Sequence, residues 1–175
     1  MSVLPIVKYG DPLLRKKLGQ VADAQTIQDL LEDMFETMYE ESGMGLSANQ
    51  VGFDMSFAVI DISHEEEDKN PLIIINPEIL ESSGHYEMEE GCLSIPEIRA
   101  TISRPETVLL QYLDLDGKTH QEWFSGLMAR VIQHEVDHLN GVFYVDHLTS
   151  AKRAMLDKRL AEIAEKGAPS TGITL

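Results

Sequence analysis

The segment at residues 134–138 is the most informative part of this chain, because one helical turn would let its two histidines act together. Residues four positions apart lie on the same helix face, so the imidazoles of His134 and His138 can reach one divalent metal ion. Glu135, beside the first histidine, can then act as a base toward a water molecule on that ion. The pattern is typical of metal-assisted hydrolysis, and the alternative is a helix that carries two surface histidines.

A catalytic site of this kind needs a third protein ligand and one open coordination position. The metzincin pattern would supply a histidine three residues after Gly141, where this chain has Tyr144. A thermolysin-like site would use a downstream glutamate, for which Glu162 and Glu165 are the candidates. Cys92, the single cysteine of the chain, is a stronger candidate, although an unpaired cysteine is more often a small buried apolar residue.

Three segments, taken together and in this order, resemble the peptide deformylase family. They are residues 43–50, which are rich in glycine and small side chains, residues 90–94 and residues 133–141. The resemblance extends from Asp11 to the region after residue 150. Within the motifs the chain departs from the family pattern at Ser47, where alanine is usual. We expect the site to tolerate this change, with the Ser47 hydroxyl bonded to the backbone.

The resemblance implies a hydrolase that removes the N-formyl group from the N-terminal formylmethionine of nascent polypeptides and releases formate. Cys92, His134 and His138 would bind the metal, and a water molecule on that metal would attack the formyl carbon. Glu135 would take a proton from this water and then deliver it to the departing amine. Two rival interpretations remain: a small peptidase with a distal glutamate ligand, and a metal-binding module without catalysis.

The resemblance also supplies two donors to the developing oxyanion, the Gln50 side-chain amide and the Leu93 backbone N–H. It implies one Fe²⁺ ion per chain in the cell. A thiolate with two imidazoles also suits Zn²⁺, Ni²⁺ or Co²⁺, so these ions can substitute.

Residues in and beside the motifs are predicted to bind the substrate. An apolar pocket would take the methionine side chain, and the peptide would lie extended, as an added strand, along residues 43–46 and the residues before Cys92. Gly45 would leave room for the peptide backbone. The apolar members of the set could equally be core residues. The set is Gly43, Met44, Gly45, Met88, Glu90, Gly91, Leu127 and Val131.

Several polar residues near the motifs have two interpretations. Gln133 and Asp137 either orient ligands and backbone or are ordinary polar residues of a helix surface. The resemblance suggests that Glu90 pairs with Arg99 and so fixes the strand of Cys92. The remaining histidines fit no ligand spacing and are predicted to be surface residues: His64, His85, His120 and His147.

Length and composition indicate one domain. With 175 residues and 43% apolar content, the chain is predicted to form a single catalytic domain over residues 1–175. Its apolar runs are far shorter than the ~20 residues of a membrane helix, and its N-terminus resembles neither a secretion signal nor a transit peptide. A lone cysteine fits a reducing compartment. We therefore expect a cytoplasmic protein, bacterial by the resemblance, without membrane contact.

The net charge of −16 disfavours nucleic acid as a general or sequence-specific partner. Residues 149–167 differ, because they contain five basic and three acidic residues. This region is predicted to be a C-terminal helix over residues 150–167, followed by a flexible tail at 168–175. Its charges are either ordinary solvated ones or, as the resemblance suggests for bacterial deformylases, a means of docking on ribosomal RNA at the nascent-chain exit.

The hydrophobic pattern predicts an α+β fold. Apolar residues recur with helical spacing from Ile27 to Met38, and Gly43 is the predicted C-cap of that helix. Strands are predicted at residues 56–62, 72–75, 100–103, 107–115 and 119–124, with a tight turn at residues 116–117. Because strands and helices do not alternate, we expect mainly antiparallel strands packed around the metal-binding helix, with one helix before them and one after.

Overall fold

The computed structural model describes residues 2–63 and 70–166, and it contains seven strands in two antiparallel sheets. In the larger sheet the strands lie in the order β1-β2-β3-β6-β7, and β4 and β5 form a separate hairpin. The predicted α+β class is confirmed. The strands are β1 (Gly45–Ser47), β2 (Phe57–Ile60), β3 (Leu72–Ser83), β4 (Tyr86–Cys92), β5 (Ile95–Arg104), β6 (Thr107–Leu113) and β7 (Thr119–Ser125).

The helices are α1 (Gln28–Glu40), α2 (Gly126–Leu139), α3 (Ser150–Ala154) and α4 (Asp157–Lys166). The α1 helix follows the predicted apolar stripe, but its predicted C-cap is wrong. Ser42, with φ of 56°, takes the left-handed position, and the Gly43 N–H donates to the Met38 carbonyl at 2.9 Å. This is the six-residue hydrogen bond of a Schellman ending, in which the left-handed residue precedes the donor.

The C-terminal region also differs from its prediction. The expected single helix over residues 150–167 is two helices, α3 and α4, separated by Met155 and Leu156. Leu160 of α4 is buried in the cluster that lines the β4–β5 hairpin, whereas Met155 is 81% exposed. The break lets α4 turn its apolar face onto the hairpin. The predicted tail at residues 168–175 lies outside the described residues.

Helix α2 lies between the two sheets, and this arrangement positions the motif. Its residues Ile132 and Val136 pack into the core cluster formed with β2, β3 and β6. The hairpin of β4 and β5 packs instead on Phe143 and Tyr144, which follow α2 in the chain. None of the helices in the described ranges is long and apolar enough to cross a membrane.

We expect Gly141→Ala to destabilise the fold strongly, because Gly141 has φ of 76° and an added Cβ would lie 2.4 Å from the Arg15 backbone oxygen. Gly117→Ala is the matched control, since Gly117 has φ of 78° but nothing within 4 Å of its added Cβ. The control should cost about 1–2 kcal/mol of unfolding free energy. Gly141→Ala should cost about 3 kcal/mol or more, measured by urea denaturation. Equal costs would contradict the clash.

Candidate active site

Three side chains with metal-binding atoms converge from two distant parts of the chain. His134 and His138 lie one turn apart on α2, and Cys92 ends β4. The Cys92 sulfur lies 3.2 Å from His138 Nε2, which lies 3.0 Å from His134 Nε2. All three ligand atoms are within 4.8 Å of one another. The structure therefore brings together the three residues that were predicted as ligands.

The orientation of the two imidazoles suits a cation. His134 Nδ1 donates to Glu90 Oε1 at 3.0 Å, which leaves the Nε2 lone pair directed at the other two ligand atoms. Within residues 2–63 and 70–166, the buried Oε2 atom of Glu135 has no hydrogen-bond partner. Lone pairs gathered in a buried space repel one another unless a positive charge lies between them. One sulfur and two imidazole nitrogens are a donor set that fits a borderline-soft divalent metal ion.

The two histidines differ in pKa. Burial lowers the pKa of His134, but the hydrogen bonds with Cys92 and Glu90 outweigh it and raise that pKa to about 10. Burial, and then the positive charge on His134, hold the pKa of His138 well below its usual value. A metal ion binds the neutral form of histidine, so metal binding at His134 would displace a proton.

Glu135 is buried beside these ligands, at 3% exposure. Burial raises the pKa of its carboxyl to about 7, which suits a group that both accepts and returns a proton near neutral pH. A Cβ atom added to Gly45 would lie 2.7 Å from Glu135 Oε1. Glycine at position 45 therefore makes room for the Glu135 carboxyl as well as for the predicted peptide.

Gln50 is fixed with its amide nitrogen toward the cluster. Its Nε2 lies 3.5 Å from the Cys92 sulfur and donates to Ser94 Oγ at 3.1 Å, while its Oε1 accepts from the Ser47 N–H at 3.1 Å. The Ser47 hydroxyl was expected to bond to the backbone, and it accepts from the Gln50 backbone N–H in a capping box. It lies 2.7 Å from Asn49 Oδ1 and 3.0 Å from Gln50 Oε1, so it supports the side chain that Ser47 already holds through its backbone.

The prediction that Glu90 pairs with Arg99 is wrong. Arg99 pairs with Glu89 at 2.6 Å near the surface. Glu90 instead accepts from two buried guanidinium groups, Arg104 Nε and Arg130 Nη1, each at 2.6 Å. Charge pairing in this motif depends on which neighbouring acid faces inward, and Glu89 is exposed whereas Glu90 is buried.

These contacts give Glu90 a permanent negative charge. Burial raises the pKa of its carboxyl, but the hydrogen bonds from His134 and Arg104 prevail and lower it to about 2. Arg104 also pairs with Asp137 at 2.8 Å. This contact favours the interpretation that Asp137 orients its neighbours over the one in which it only faces solvent. Gln133 has an orienting role as well, because its side chain donates to the Pro105 carbonyl at 3.0 Å.

A cleft of about 440 Å³ opens next to the ligands. Cys92, His134 and Glu135 line it, while His138 is fully buried. It is lined by every residue that was predicted to bind substrate and by both predicted oxyanion donors: Gly43, Met44, Gly45, Gln50, Met88, Glu90, Gly91, Leu93, Leu127 and Val131.

Sequence reasoning missed several residues of this region. Arg130 lines the cleft and lies four residues before His134, so helical spacing alone could have placed it on the ligand face. Arg104 has no comparable spacing from a motif residue, so the sequence pattern did not place it at the site. His147 is exposed as predicted, and its Nε2 lies 2.8 Å from Asp137 Oδ2, a contact that was not predicted. His85 is exposed as predicted, and His64 lies outside the described residues.

The alternative ligand sets receive no support. Tyr144, at the position of a metzincin histidine, stacks on the His134 ring with centroids 5.9 Å apart and donates its hydroxyl to the Ile98 carbonyl. Glu162 and Glu165 are exposed on α4. In the part of the chain that the structure describes, Cys92, His134 and His138 form the one group of three with metal-binding spacing.

Known proteins provide an independent comparison. The sequence model of the polypeptide deformylase family matches residues 3–154. Peptide deformylase 2 of Xanthomonas campestris is 44% identical over 167 residues, 93% of this chain and 97% of that protein. A crystal structure of peptide deformylase from Plasmodium falciparum superposes with a TM-score of 0.88 at 34% identity, covering 96% of this chain and 99% of the other. The Thermus thermophilus enzyme gives a TM-score of 0.87 at 36% identity, covering 94% and 99%.

We expect Arg104→Leu to destabilise the protein by about 3–5 kcal/mol, because it leaves the buried carboxylate of Glu90 and the partly buried one of Asp137 short of a cation. Arg99→Leu is the matched control, since it breaks an ion pair whose side chains are 62% and 60% exposed. That change should cost at most about 1 kcal/mol. Urea unfolding of both variants, with a chelator present to remove metal effects, measures the difference. Similar losses would contradict a buried network.

Proposed function

Because this chain belongs to the peptide deformylase family, we propose that Cys92, His134 and His138 hold the divalent metal ion of a deformylase site. The activity is hydrolytic removal of the formyl group from the N-terminal formylmethionine of a nascent polypeptide, with release of formate. The observation that carries the assignment of the site is the convergence of the three ligand atoms within 4.8 Å at the edge of the cleft.

The ion we propose is Fe²⁺, with Zn²⁺, Ni²⁺ or Co²⁺ able to replace it, since one sulfur and two imidazole ligands suit all four. A divalent cation held here supplies Lewis acidity, which polarises a carbonyl group and makes a water molecule more acidic. The remaining chemistry belongs to side chains of the protein.

Glu135 is the proposed general base and acid. Its carboxyl faces the ligands from the same turn of α2, has an unpartnered buried oxygen among the described residues, and has a pKa raised by burial to about 7. It can therefore accept a proton from the attacking water and return it to the amine that leaves. Burial keeps bulk water from competing for this proton.

The Gln50 amide and the Leu93 N–H are the proposed donors to the formyl oxygen as it gains negative charge. Gln50 is suited to this role because its Oε1 is held by Ser47, so that its NH₂ group points toward Cys92. A donor that is fixed before reaction needs no reorganisation as charge develops.

The cleft is proposed to bind the methionine side chain between Met44, Met88, Leu127 and Val131. Strand β1 is at one end of the larger sheet, where β2 is its single strand neighbour among the described residues. An extended peptide can pair with the open edge of β1 near Gly43 and Gly45, with Glu90 and Gly91 on the facing wall. Pairing through the backbone accepts varied sequences after methionine.

We expect Glu135→Gln to lower the rate of formate release from a formyl-Met-Ala peptide by about 10²–10⁴-fold, because the amide cannot carry the proton. The variant should retain its metal, since Glu135 is not among the proposed ligands. Enzymatic quantification of formate and elemental analysis of the same preparation provide the two measurements.

Cys92→Ser is the complementary variant, and it should release the metal or weaken its binding. Full formate release by Glu135→Gln would contradict the role of Glu135 as the general base. Absence of formate release by the unaltered, metal-loaded protein would indicate a metal-binding module without catalysis. A full metal content in Cys92→Ser would indicate a site that uses some other third ligand.

We further propose that the protein works in the bacterial cytoplasm and contacts the ribosome through α4. Arg153 and Arg159 are already bonded to the body of the protein, at Asp146 and at the Glu97 carbonyl. Lys158 and Lys166 are exposed, so they are the basic side chains of α4 available to ribosomal RNA.

The double variant Lys158→Glu/Lys166→Glu should bind ribosomes on the order of tenfold more weakly at low salt, because two cationic contacts become repulsive. Co-sedimentation with purified ribosomes measures this. Lys17→Glu/Lys118→Glu changes the net charge equally at exposed sites elsewhere and should bind like the unaltered protein. Equal weakening in both variants would show that net charge, and not α4, determines binding.

A further inference from the structure

We infer that His147, a half-exposed residue outside the three motifs, is a positioning residue for the proposed metal ligand His134. The inference rests on the proposed function, because it concerns how firmly and with what electronic character His134 binds a metal. His147 belongs to the short helix Tyr144–His147 that follows α2, and its side chain is 38% exposed.

A continuous chain of hydrogen bonds begins at His147. Its Nε2–H donates to Asp137 Oδ2 at 2.8 Å. The same oxygen accepts from Arg104 Nη1, also at 2.8 Å. His147 and Arg104 therefore share one carboxylate oxygen, and the strength of either bond depends on the other.

The series of hydrogen bonds continues inward to the proposed ligand His134. Arg104 binds both oxygens of Glu90, with Nε to Oε2 at 2.6 Å and Nη2 to Oε1 at 3.1 Å. Glu90 Oε1 in turn accepts from His134 Nδ1 at 3.0 Å. Arg104 and Glu90 are 4% and 6% exposed, so the contacts pass from solvent into a region where charges act strongly on one another.

Loss of the His147 donor redistributes charge along this series of hydrogen bonds. Asp137 then has Arg104 as its remaining buried ionic partner and draws the guanidinium toward itself. Glu90 becomes a less neutralised carboxylate and attracts the Nδ1 proton of His134 more strongly. The hydrogen bond on the far nitrogen sets the basicity and the angle of a histidine ligand, so the bond from His134 to a metal changes in both respects.

A second contact ties His147 to His134. Tyr144, at the start of the same short helix, stacks on the His134 ring with an interplanar angle of 24°. The His147–Asp137 bond joins this helix to α2, since Asp137 is on α2. It therefore holds the Tyr144 ring against His134, which limits the directions in which the imidazole can tilt.

The chain contains a natural control for this arrangement. His120 is 32% exposed and lies 2.6 Å from Asp114 through its Nε2, so it forms an equivalent histidine–aspartate pair. That pair is on the β6–β7 hairpin, where Asp114 otherwise accepts from the backbone N–H groups of Asp116 and Lys118. Removal of His120 changes a similar surface interaction without touching the chain that leads to Glu90.

The experiment compares His147→Leu, His147→Gln and His120→Leu as full-length proteins loaded with Co²⁺. Two properties are measured: the visible absorption of the bound Co²⁺, which reports its ligand field, and the rate of Co²⁺ loss to an excess of chelator. His147→Leu should release Co²⁺ about tenfold faster and shift the absorption bands. His147→Gln, which keeps an N–H donor, should stay within about twofold of the unaltered protein, and His120→Leu should be unchanged.

The inference is overturned if His147→Leu matches the unaltered protein in both properties, or if His147→Gln fails as badly as His147→Leu. It is also overturned if His120→Leu releases Co²⁺ equally fast, which would indicate general loosening of the fold. Formate release by the unaltered protein separates failure of the inference about His147 from failure of the proposed function. An unaltered protein that neither retains Co²⁺ nor releases formate removes the proposed function itself.

Discussion

The buried carboxylate of Glu90 is the interaction on which the arrangement of the site depends. It is shared by Arg104 of β5, Arg130 of α2 and the proposed ligand His134, so it joins the hairpin that carries Cys92 to the helix that carries both histidines. A buried charge of this kind stabilises a fold only when its partners are complete, and its main effect is to specify one geometry. Without it, the sulfur and the two imidazoles would belong to two elements joined by fewer polar contacts, among them the Arg104–Asp137 ion pair.

Much of the fold was predictable because its signals are local. The α1 stripe, the β6–β7 turn at residues 116–117 and the helical histidine spacing each involve residues close in sequence, and the structure contains all three. The site was predictable for a different reason. The proposed ligands Cys92 and His138 are 46 residues apart, and helical or strand periodicity does not connect them. The resemblance of three ordered motifs to a known family supplied that link.

The incorrect predictions concern features that are determined by tertiary contacts. Whether Glu89 or Glu90 faces inward, and which arginine meets it, depends on how the hairpin packs on α2, which no spacing in the sequence reports. The break between α3 and α4 has the same origin, because burial of Leu160 against the hairpin outweighs continuous helical propensity. The bond between His147 and Asp137 was not predicted, because the two residues are ten positions apart on different helices.

The cleft is small in relation to a polypeptide, and this has a consequence for how such a protein meets its substrates. A space of about 440 Å³ is of the size that binds a small molecule or a few residues of a peptide, and residues of β1 line it. If methionine occupies it as proposed, everything beyond the first few residues lies outside the protein. Recognition then does not depend on the length of the substrate polypeptide or on whether its distal part has folded. Removal of the formyl group can therefore begin as soon as the first few residues of the nascent chain have left the ribosome.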